Sequence, residues 1–331
     1  MKTIVIFQGG GALGAFAAGT WRALVPRLQE AGMELVGLAG ASIGGLNAAL
    51  IAAHHQDPDW GAGALEGWWR NRLATPSWPF VPPAWGLPLA PTTGDTSSWN
   101  GLLTGLLAGT RGLYRAAPER LNLLGALQRI HWPLFERSPM YDTLAEAVGE
   151  YDSRGSAAPW LAVAAVDVLE GQLRLFDSDA GPVAPTHLAA SAALPLLFDP
   201  VEIEGRAYWD GEVCADSIVP AALQGLRDRG RAAPGEDLLL VTVEPVSPRA
   251  RALPQSSVEI VHRALELLLM RKLSRVDASR LGATRHLHVS REQLPHELVS
   301  GQFDYSPARL DALIEQGERA AAEAWHAFGA G

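Results

Sequence analysis

Short, wholly apolar runs closed by glycines alternate with longer amphipathic stretches over the first fifty residues. Ile4 to Phe7 runs into the glycine-rich segment Gly9 to Gly14, after which Trp21, Leu24 and Leu28 recur at helical spacing. Leu35 to Ala39 repeats the pattern: the apolar run ends at Gly40 to Gly44, and Leu46, Leu50 and Ile51 continue as an apolar helix. Two strand–turn–helix units in direct succession predict a parallel sheet with helices outside it. Farther along, Leu161 to Val168 pairs with Gln172 to Phe176 across the Glu170-Gly171 turn as a predicted hairpin. Pro185 to Ala193 reads as a helix, and Val201 to Ile203 with Arg206 to Trp209 flank Glu204-Gly205 as a second hairpin that delivers Asp210-Gly211 at a strand end. Leu238 to Val243 is a buried strand, followed by a long helix over 256–280, a strand His286 to Val289 and a terminal helix beyond Pro307. These elements predict one three-layer α/β/α domain over residues 1–331 with a mainly parallel central sheet.

From Asp57 to Arg137 the alternation stops. Pro76, Pro79, Pro82, Pro83, Pro88 and Pro91 fall in this segment, as do seven of the eleven tryptophans: Trp60, Trp68, Trp69, Trp78, Trp85, Trp99 and Trp132. Residues 57–137 therefore read as an insertion. Its tryptophans either form a cap beside the site, with Trp68 and Trp85 lining it, or fasten a loop-rich segment to the body.

With 48% hydrophobic and 19% charged residues, the chain can bury a full core without disulfides. A net charge of -9 and no basic block argue against nucleic acid as a partner. Cys214, the single cysteine, excludes an internal disulfide and a zinc cluster of the cysteine type. The apolar run after Lys2 is too short for an export signal. Leu35 to Ala53 is uncharged and long enough to span a bilayer, but Gly37, Gly40, Gly44 and Gly45 break it into strand, turn and helix. A cytoplasmic protein is expected, with peripheral membrane contact left open. The one basic patch for an anionic surface is Arg263, Arg271, Lys272 and Arg275 on a predicted helix.

Gly40-Ala41-Ser42-Ile43-Gly44 is a G-x-S-x-G sequence between a predicted strand and a predicted helix. A turn this sharp strains the serine backbone and is tolerable only where the residues two before and two after lack side chains. It exposes the Ser42 hydroxyl and aims the Ile43 N–H at an oxyanion forming there. Gly9, Gly11 and Gly14 also satisfy the G-x-G-x-x-G of a dinucleotide site, so an NAD(P)-dependent oxidoreductase is the rival reading. That reading needs an acidic residue at the end of the second strand, where Gly40 and Ser42 stand instead. Consecutive glycine N–H groups converging on an oxyanion fit better. None of the nine histidines carries the signature of a general base, whereas Asp210 follows a strand and precedes a loop. As a direct base it needs desolvation or a hydrogen bond to the serine, because a free carboxylate is a weak base at neutral pH.

Gly9 to Gly14, Gly40 to Gly44 and Asp210-Gly211, in this order, resemble the patatin-like phospholipases. Ser191 to Pro195, Phe198, Pro200-Val201 and Tyr208-Trp209 resemble the stretch before the dyad aspartate in bacterial members. The resemblance implies a serine lipid acyl hydrolase with a serine–aspartate dyad and no histidine. Ser42 is then the nucleophile and Asp210 the base; Gly9, Gly10 and Gly11, with Ile43, form the oxyanion hole. Gly14, Gly40, Gly44 and Gly211 support the motifs. A lipid or other ester is the expected substrate; no metal or organic cofactor is implied, and a catalytically silent lipid-binding protein stays open. Two positions depart from the pattern: Glu212 stands where many members have a second glycine, and Leu13 where many have a basic residue. Glu212 either faces solvent or adds negative charge beside Asp210.

Overall fold

The computed structural model describes residues 1–79, 96–117, 135–251 apart from 196, 215, 234 and 248, then 285–294 and 301–329, and the separate residues 253, 254, 259, 260, 263, 264, 266, 267 and 297. Most of the expected helix 256–280 lies outside them, as do Trp85, Trp132, His131, His262, His296, Arg271, Lys272 and Arg275.

The first two units form as the apolar pattern requires. β1 (Lys2–Phe7) leads through a 3-10 turn at Gly11–Gly14 into α1 (Ala15–Glu30), and β2 (Glu34–Ala41) leads into α2 (Ile43–Ala53). The insertion contributes α3 (Ala62–Gly67), a π-helical stretch at Trp68–Leu73, α4 (Thr96–Leu107) and a small antiparallel sheet of β3 (Gly109–Thr110), β4 (Tyr114–Ala116) and β5 (Phe135–Glu136), after which comes α5 (Ser138–Ala147). The body continues with β6 (Trp160–Asp167), β7 (Leu173–Asp177), α6 (Pro185–Ser191), β8 (Val201–Ile203), β9 (Arg206–Asp210), α7 (Ile218–Asp228), β10 (Leu238–Glu244), β11 (Arg285–Ser290) and α8 (Pro307–Gly329).

The main sheet has the order β11-β10-β1-β2-β6-β9-β8, with β7 on the remaining edge of β6. The strands from β11 to β6 are parallel, while β7, β9 and β8 join in antiparallel pairs. The result is the expected α/β fold with a mixed, mostly parallel sheet between helices. Strands buried on both faces cannot alternate polar with apolar, which is why β1, β6 and β10 read as continuous apolar runs. Val5, Phe7 and Val163 join α1, α2, α6 and α8 on one side, and Ile4, Ile6, Ala162 and Leu240 meet α7 on the other.

One edge of β6 is divided between two strands. Residues 162–164 of β6 pair with both β2 and β7, and residues 165 and 166 pair with both β9 and β7, so β2 and β9 share one edge of β6. β2 runs parallel to β6 and ends with Ala41 opposite Ala164; β9 runs antiparallel and ends with Asp210 opposite Ala165. The carboxyl-terminal ends of the two strands meet head-on. A carbon placed on Gly211 as a Cβ would lie 2.5 Å from the Ala164 carbonyl oxygen and 3.1 Å from the Ala41 Cβ, so only glycine fits at that junction.

α8 closes the layer over α1 through two glycines. A Cβ on Gly317 would fall 2.1 Å from the Phe16 carbonyl oxygen, and one on Gly19 1.8 Å from the Ile314 carbonyl oxygen. Gly317→Ala should therefore force the helices apart and lower unfolding stability by about 1–3 kcal/mol, the usual cost of overpacking. Urea denaturation reads this, with Gly181→Ala, where the added carbon meets nothing within 4 Å, as the near-neutral control.

Candidate active site

Ser42 stands between β2 and α2 with φ 55° and ψ -137°, a conformation that costs a non-glycine residue energy and persists only where its surroundings enforce it. Its N–H is held by the Ser191 carbonyl at 3.1 Å and the Ser191 hydroxyl at 2.9 Å, and its own carbonyl accepts from the Gly45 N–H at 2.9 Å. The flanking glycines are required by contact. A Cβ on Gly40 would lie 2.4 Å from the Gly44 carbonyl, and one on Gly44 2.3 Å from the Phe7 carbonyl oxygen.

Asp210 arrives from the opposite direction on β9. The expectation of an aspartate at a strand end holds, but the strand is antiparallel, and this reversal lets its end face that of β2. The Asp210 N–H donates to the Ala193 carbonyl at 3.0 Å, and its carboxylate accepts the Glu212 N–H at 2.8 Å across the short turn Gly211–Val213. Asp210 is 1% exposed.

The glycine loop lies against both. A Cβ on Gly9 would sit 2.7 Å from the Ser42 Cβ and 2.9 Å from the Glu212 Cγ. The Gly9 N–H donates to Glu212 Oε1 at 2.8 Å, so this member of the expected oxyanion hole offers its hydrogen to a side chain of the protein instead. Gly10, at φ 147°, and Gly11, at φ 57°, carry the loop into the turn that ends at Gly14. Glu212 is buried rather than solvent-facing. Cys214 is buried too, as a small apolar residue, its thiol 3.9 Å from Asp216.

Ser42, Asp210, Gly11 and Ile43 line one pocket, whose remaining wall is largely apolar: Leu46, Leu113, Met140, Leu194, Leu197, Phe198 and Phe303 among others. Leu113 and Tyr114 are the contribution of segment 57–137. No tryptophan among the described residues lines the pocket; Trp68 and Trp69 are buried, Trp69 stacked at 6.3 Å on Tyr305. Tyr114 and Tyr305 belong to the wall. Burial holds both phenols above their ordinary range, and Tyr305 adds to the shift at Tyr114, so both stay neutral at physiological pH.

The described histidines are placed elsewhere. His187 Nδ1 accepts the Ala184 N–H at 2.9 Å, His286 and His288 both bond Thr242 Oγ1 at 2.8 Å on the far strands, His55 bonds the Ala52 carbonyl, and His326 lies on α8. None of them lines the pocket. Two polar residues hold the site although neither is assigned a part in it by the sequence alone: Ser191, marked there only within the stretch before Asp210 and here clamping Ser42, and Asn47. Asn47 is fully buried, donates to the Gly14 carbonyl at 3.1 Å and accepts the Trp69 indole N–H at 3.0 Å, tying the glycine loop to α2 and to the insertion. A polar residue inside an otherwise apolar helix was its only signal.

With this geometry the family can be stated. The patatin-like phospholipase model matches residues 5–223, and the chain belongs to that family, whose members are typically carboxylic ester hydrolases. A comparison with curated proteins finds no significant match. Among solved structures, VipD from Legionella pneumophila is similar at 13% identity and a TM-score of 0.41, covering 98% of this chain and 67% of that one. The ExoU–SpcU complex of the type III secretion system of Pseudomonas aeruginosa is similar at 14% identity and a TM-score of 0.36, covering 98% and 51%. Human GIVD cytosolic phospholipase A2, in complex with methyl gamma-linolenyl fluorophosphonate, follows at 12% identity and a TM-score of 0.35, covering 98% and 59%. The chain thus spans between half and two thirds of these proteins. Among the described residues no helix is long and apolar enough to cross a membrane.

Asn47→Leu keeps the forked side-chain skeleton with bulkier methyl ends, removes both hydrogen bonds and leaves the Gly14 carbonyl and the Trp69 N–H unmatched inside the protein. Unfolding stability should fall by roughly 2–4 kcal/mol. A lower urea midpoint at unchanged m-value is the expected reading.

Proposed function

We propose that this protein is a lipid acyl hydrolase that cleaves carboxylic esters through an acyl-enzyme on Ser42, with Asp210 as the base. The observation that carries the reading is the head-on meeting of β2 and β9, which puts both residues in the wall of one apolar pocket. Asp210 takes the hydroxyl proton as Ser42 Oγ bonds to the ester carbonyl carbon, and the negative charge moves to the carbonyl oxygen. The N–H groups of Gly10, Gly11 and Ile43 receive it; Gly9, engaged with Glu212, supports the loop that carries them. Collapse expels the alcohol, which leaves with the proton from Asp210. Water then gives a proton to Asp210 and attacks the acyl carbon, the second oxyanion collapses, and the acid departs as Ser42 regains its proton.

The pocket supports an acyl chain as the group that binds, because its wall beyond Ser42 is mostly aliphatic and aromatic. A dinucleotide is less well served: β2 ends at Ala41 and Ser42 follows it, without a carboxylate there for a ribose hydroxyl. Lipid esters are the substrate class, and peripheral contact with a lipid surface is the matching mode of access.

Ser42→Ala should abolish ester turnover and fluorophosphonate labelling in a folded protein. Asp210→Asn, which keeps the shape and removes the base, should lower kcat by about 10⁴-fold. Single alanine replacements of His187, His262, His286, His288 and His296 should change kcat on a short ester by less than about tenfold. Equal losses in Ser42→Ala and any one folded histidine variant would replace the dyad with a triad.

Acyl-chain choice should follow the apolar wall. Leu197→Trp adds bulk to it, and kcat/KM should drop for long-chain p-nitrophenyl esters while acetate turnover stays within a few-fold, about the discrimination a hydrophobic pocket achieves. A parallel drop for both esters would place Leu197 outside the acyl path.

A further inference from the structure

Taking Ser42, Asp210 and the glycine loop in the roles proposed above, we infer that Glu212 is a positioning residue that ties the oxyanion loop to the turn carrying the base. Its backbone and its side chain do the two halves of this separately. The Glu212 N–H donates to Asp210 Oδ1 at 2.8 Å, and Glu212 Oε1 accepts the Gly9 N–H at 2.8 Å. One residue therefore bonds the base and the loop that faces the developing oxyanion, although 203 positions separate Gly9 from Glu212 in the chain.

The loop needs such a restraint. Three consecutive glycines have little steric hindrance of their own, and Gly10 and Gly11 adopt φ values of 147° and 57° that side chains rarely accept. Neighbours must therefore hold the direction of their N–H groups. Before the loop, the Gln8 N–H is bonded to the Val243 carbonyl at 3.1 Å. Beyond it, the Gly11 Cα packs against Gln302, whose carbonyl oxygen would lie 2.4 Å from an added Cβ. Between these points Glu212 holds the Gly9 amide.

Contact makes the tether local to the reacting atoms. A single carbon added to Gly9 would meet the Ser42 Cβ at 2.7 Å and the Glu212 Cγ at 2.9 Å, so the loop, the nucleophile and Glu212 meet at one point and a shift of the loop is a shift relative to the nucleophile. Glu212 is 4% exposed, and a bond from an amide to a buried carboxylate is shorter and stronger than its solvent-exposed or neutral counterpart. Without it, Gly10 and Gly11 can turn their N–H groups away from the oxyanion. Stabilisation of the transition state then falls more than binding of the ground-state ester, whose affinity comes from the apolar wall.

The test compares Glu212→Ala, which loses the acceptor, with Glu212→Gln, which keeps an oxygen at the same reach; active sites are counted by fluorophosphonate titration. The alanine variant should lose roughly 10²-fold in kcat per active site, the scale of a misplaced catalytic geometry. KM should stay within about threefold, the signature of an interaction made in the transition state, and the glutamine variant should recover most of the rate. An alanine variant with wild-type kcat per site overturns the inference, as does a glutamine variant as slow as alanine. Glu212→Ser, too short to reach Gly9, replaces alanine if that variant does not fold. Hydrogen–deuterium exchange over residues 8–14 reads the tether without turnover: faster in alanine, near wild type in glutamine. Equal exchange in all three proteins overturns the tether whatever the activity. Released exchange in alanine, in a protein that hydrolyses no ester, upholds the tether and removes the proposed function.

Discussion

The structure depends on how one edge of β6 is divided. A strand edge can hydrogen-bond only one partner at each position, and here β2 occupies residues 160–164 and β9 residues 165–167. Each strand stops where the other begins. Because one runs with β6 and the other against it, the two carboxyl-terminal ends converge, and Ser42 and Asp210 follow from that convergence. The ladder does the positioning with backbone bonds, which are less adaptable than side-chain contacts. Glycine at 211 is the condition for closing the gap, since the Ala164 carbonyl occupies the space of any side chain there.

Around this junction the backbone is held in conformations it would not choose. Ser42 sits at φ 55°, and the loop from Gly10 to Gly11 also lies in the positive region. Strain of this kind is stable only when the surroundings over-determine it. Ser191 holds Ser42 with two oxygens, Asn47 holds the Gly14 carbonyl, and Glu212 holds Gly9. All three side chains are buried, where a fully satisfied polar contact is rigid and an unmatched one is costly. The polar groups that restrain the turns are thus sunk into the apolar core while Ser42 stays partly exposed to the pocket.

The pocket is assembled from segments distant in the chain. Leu113 and Tyr114 come from the insertion, Met140 from α5, Leu194, Leu197 and Phe198 from the stretch after α6, and Phe303 and Tyr305 from the approach to α8. Tyr114 packs 4.5 Å from Phe135 and 5.6 Å from Phe198, centroid to centroid, so aromatic contact joins the small β3-β4-β5 sheet to the body. Two tryptophans of the insertion serve the same fastening role: the Trp60 carbonyl accepts the Trp21 indole N–H, and Trp69 donates its own to Asn47.

Local pattern made the eight strands of the main sheet, α1, α2, α6, α8 and both glycine turns legible, because period, glycine placement and apolar runs reflect forces that act within a few residues; α5, α7 and the elements of the insertion were not read from it. The need for glycine at 40 is likewise local, imposed by the turn around Ser42, whereas at 44 it comes from β1, whose Phe7 carbonyl oxygen would lie 2.3 Å from an added Cβ. Which strands are neighbours is a long-range matter. The antiparallel direction of β9, its shared edge with β2, and the burial of Glu212 against Gly9 all join residues far apart in the chain. The glutamate after Asp-Gly stands out in the sequence only as a departure from the family pattern, since nothing nearby in the chain shows that its carboxyl group meets an amide 203 positions earlier. The pocket wall was hidden for the same reason: composition marks an aromatic-rich insertion, but packing alone selects Leu113 and Tyr114, rather than any of its described tryptophans, to face the pocket.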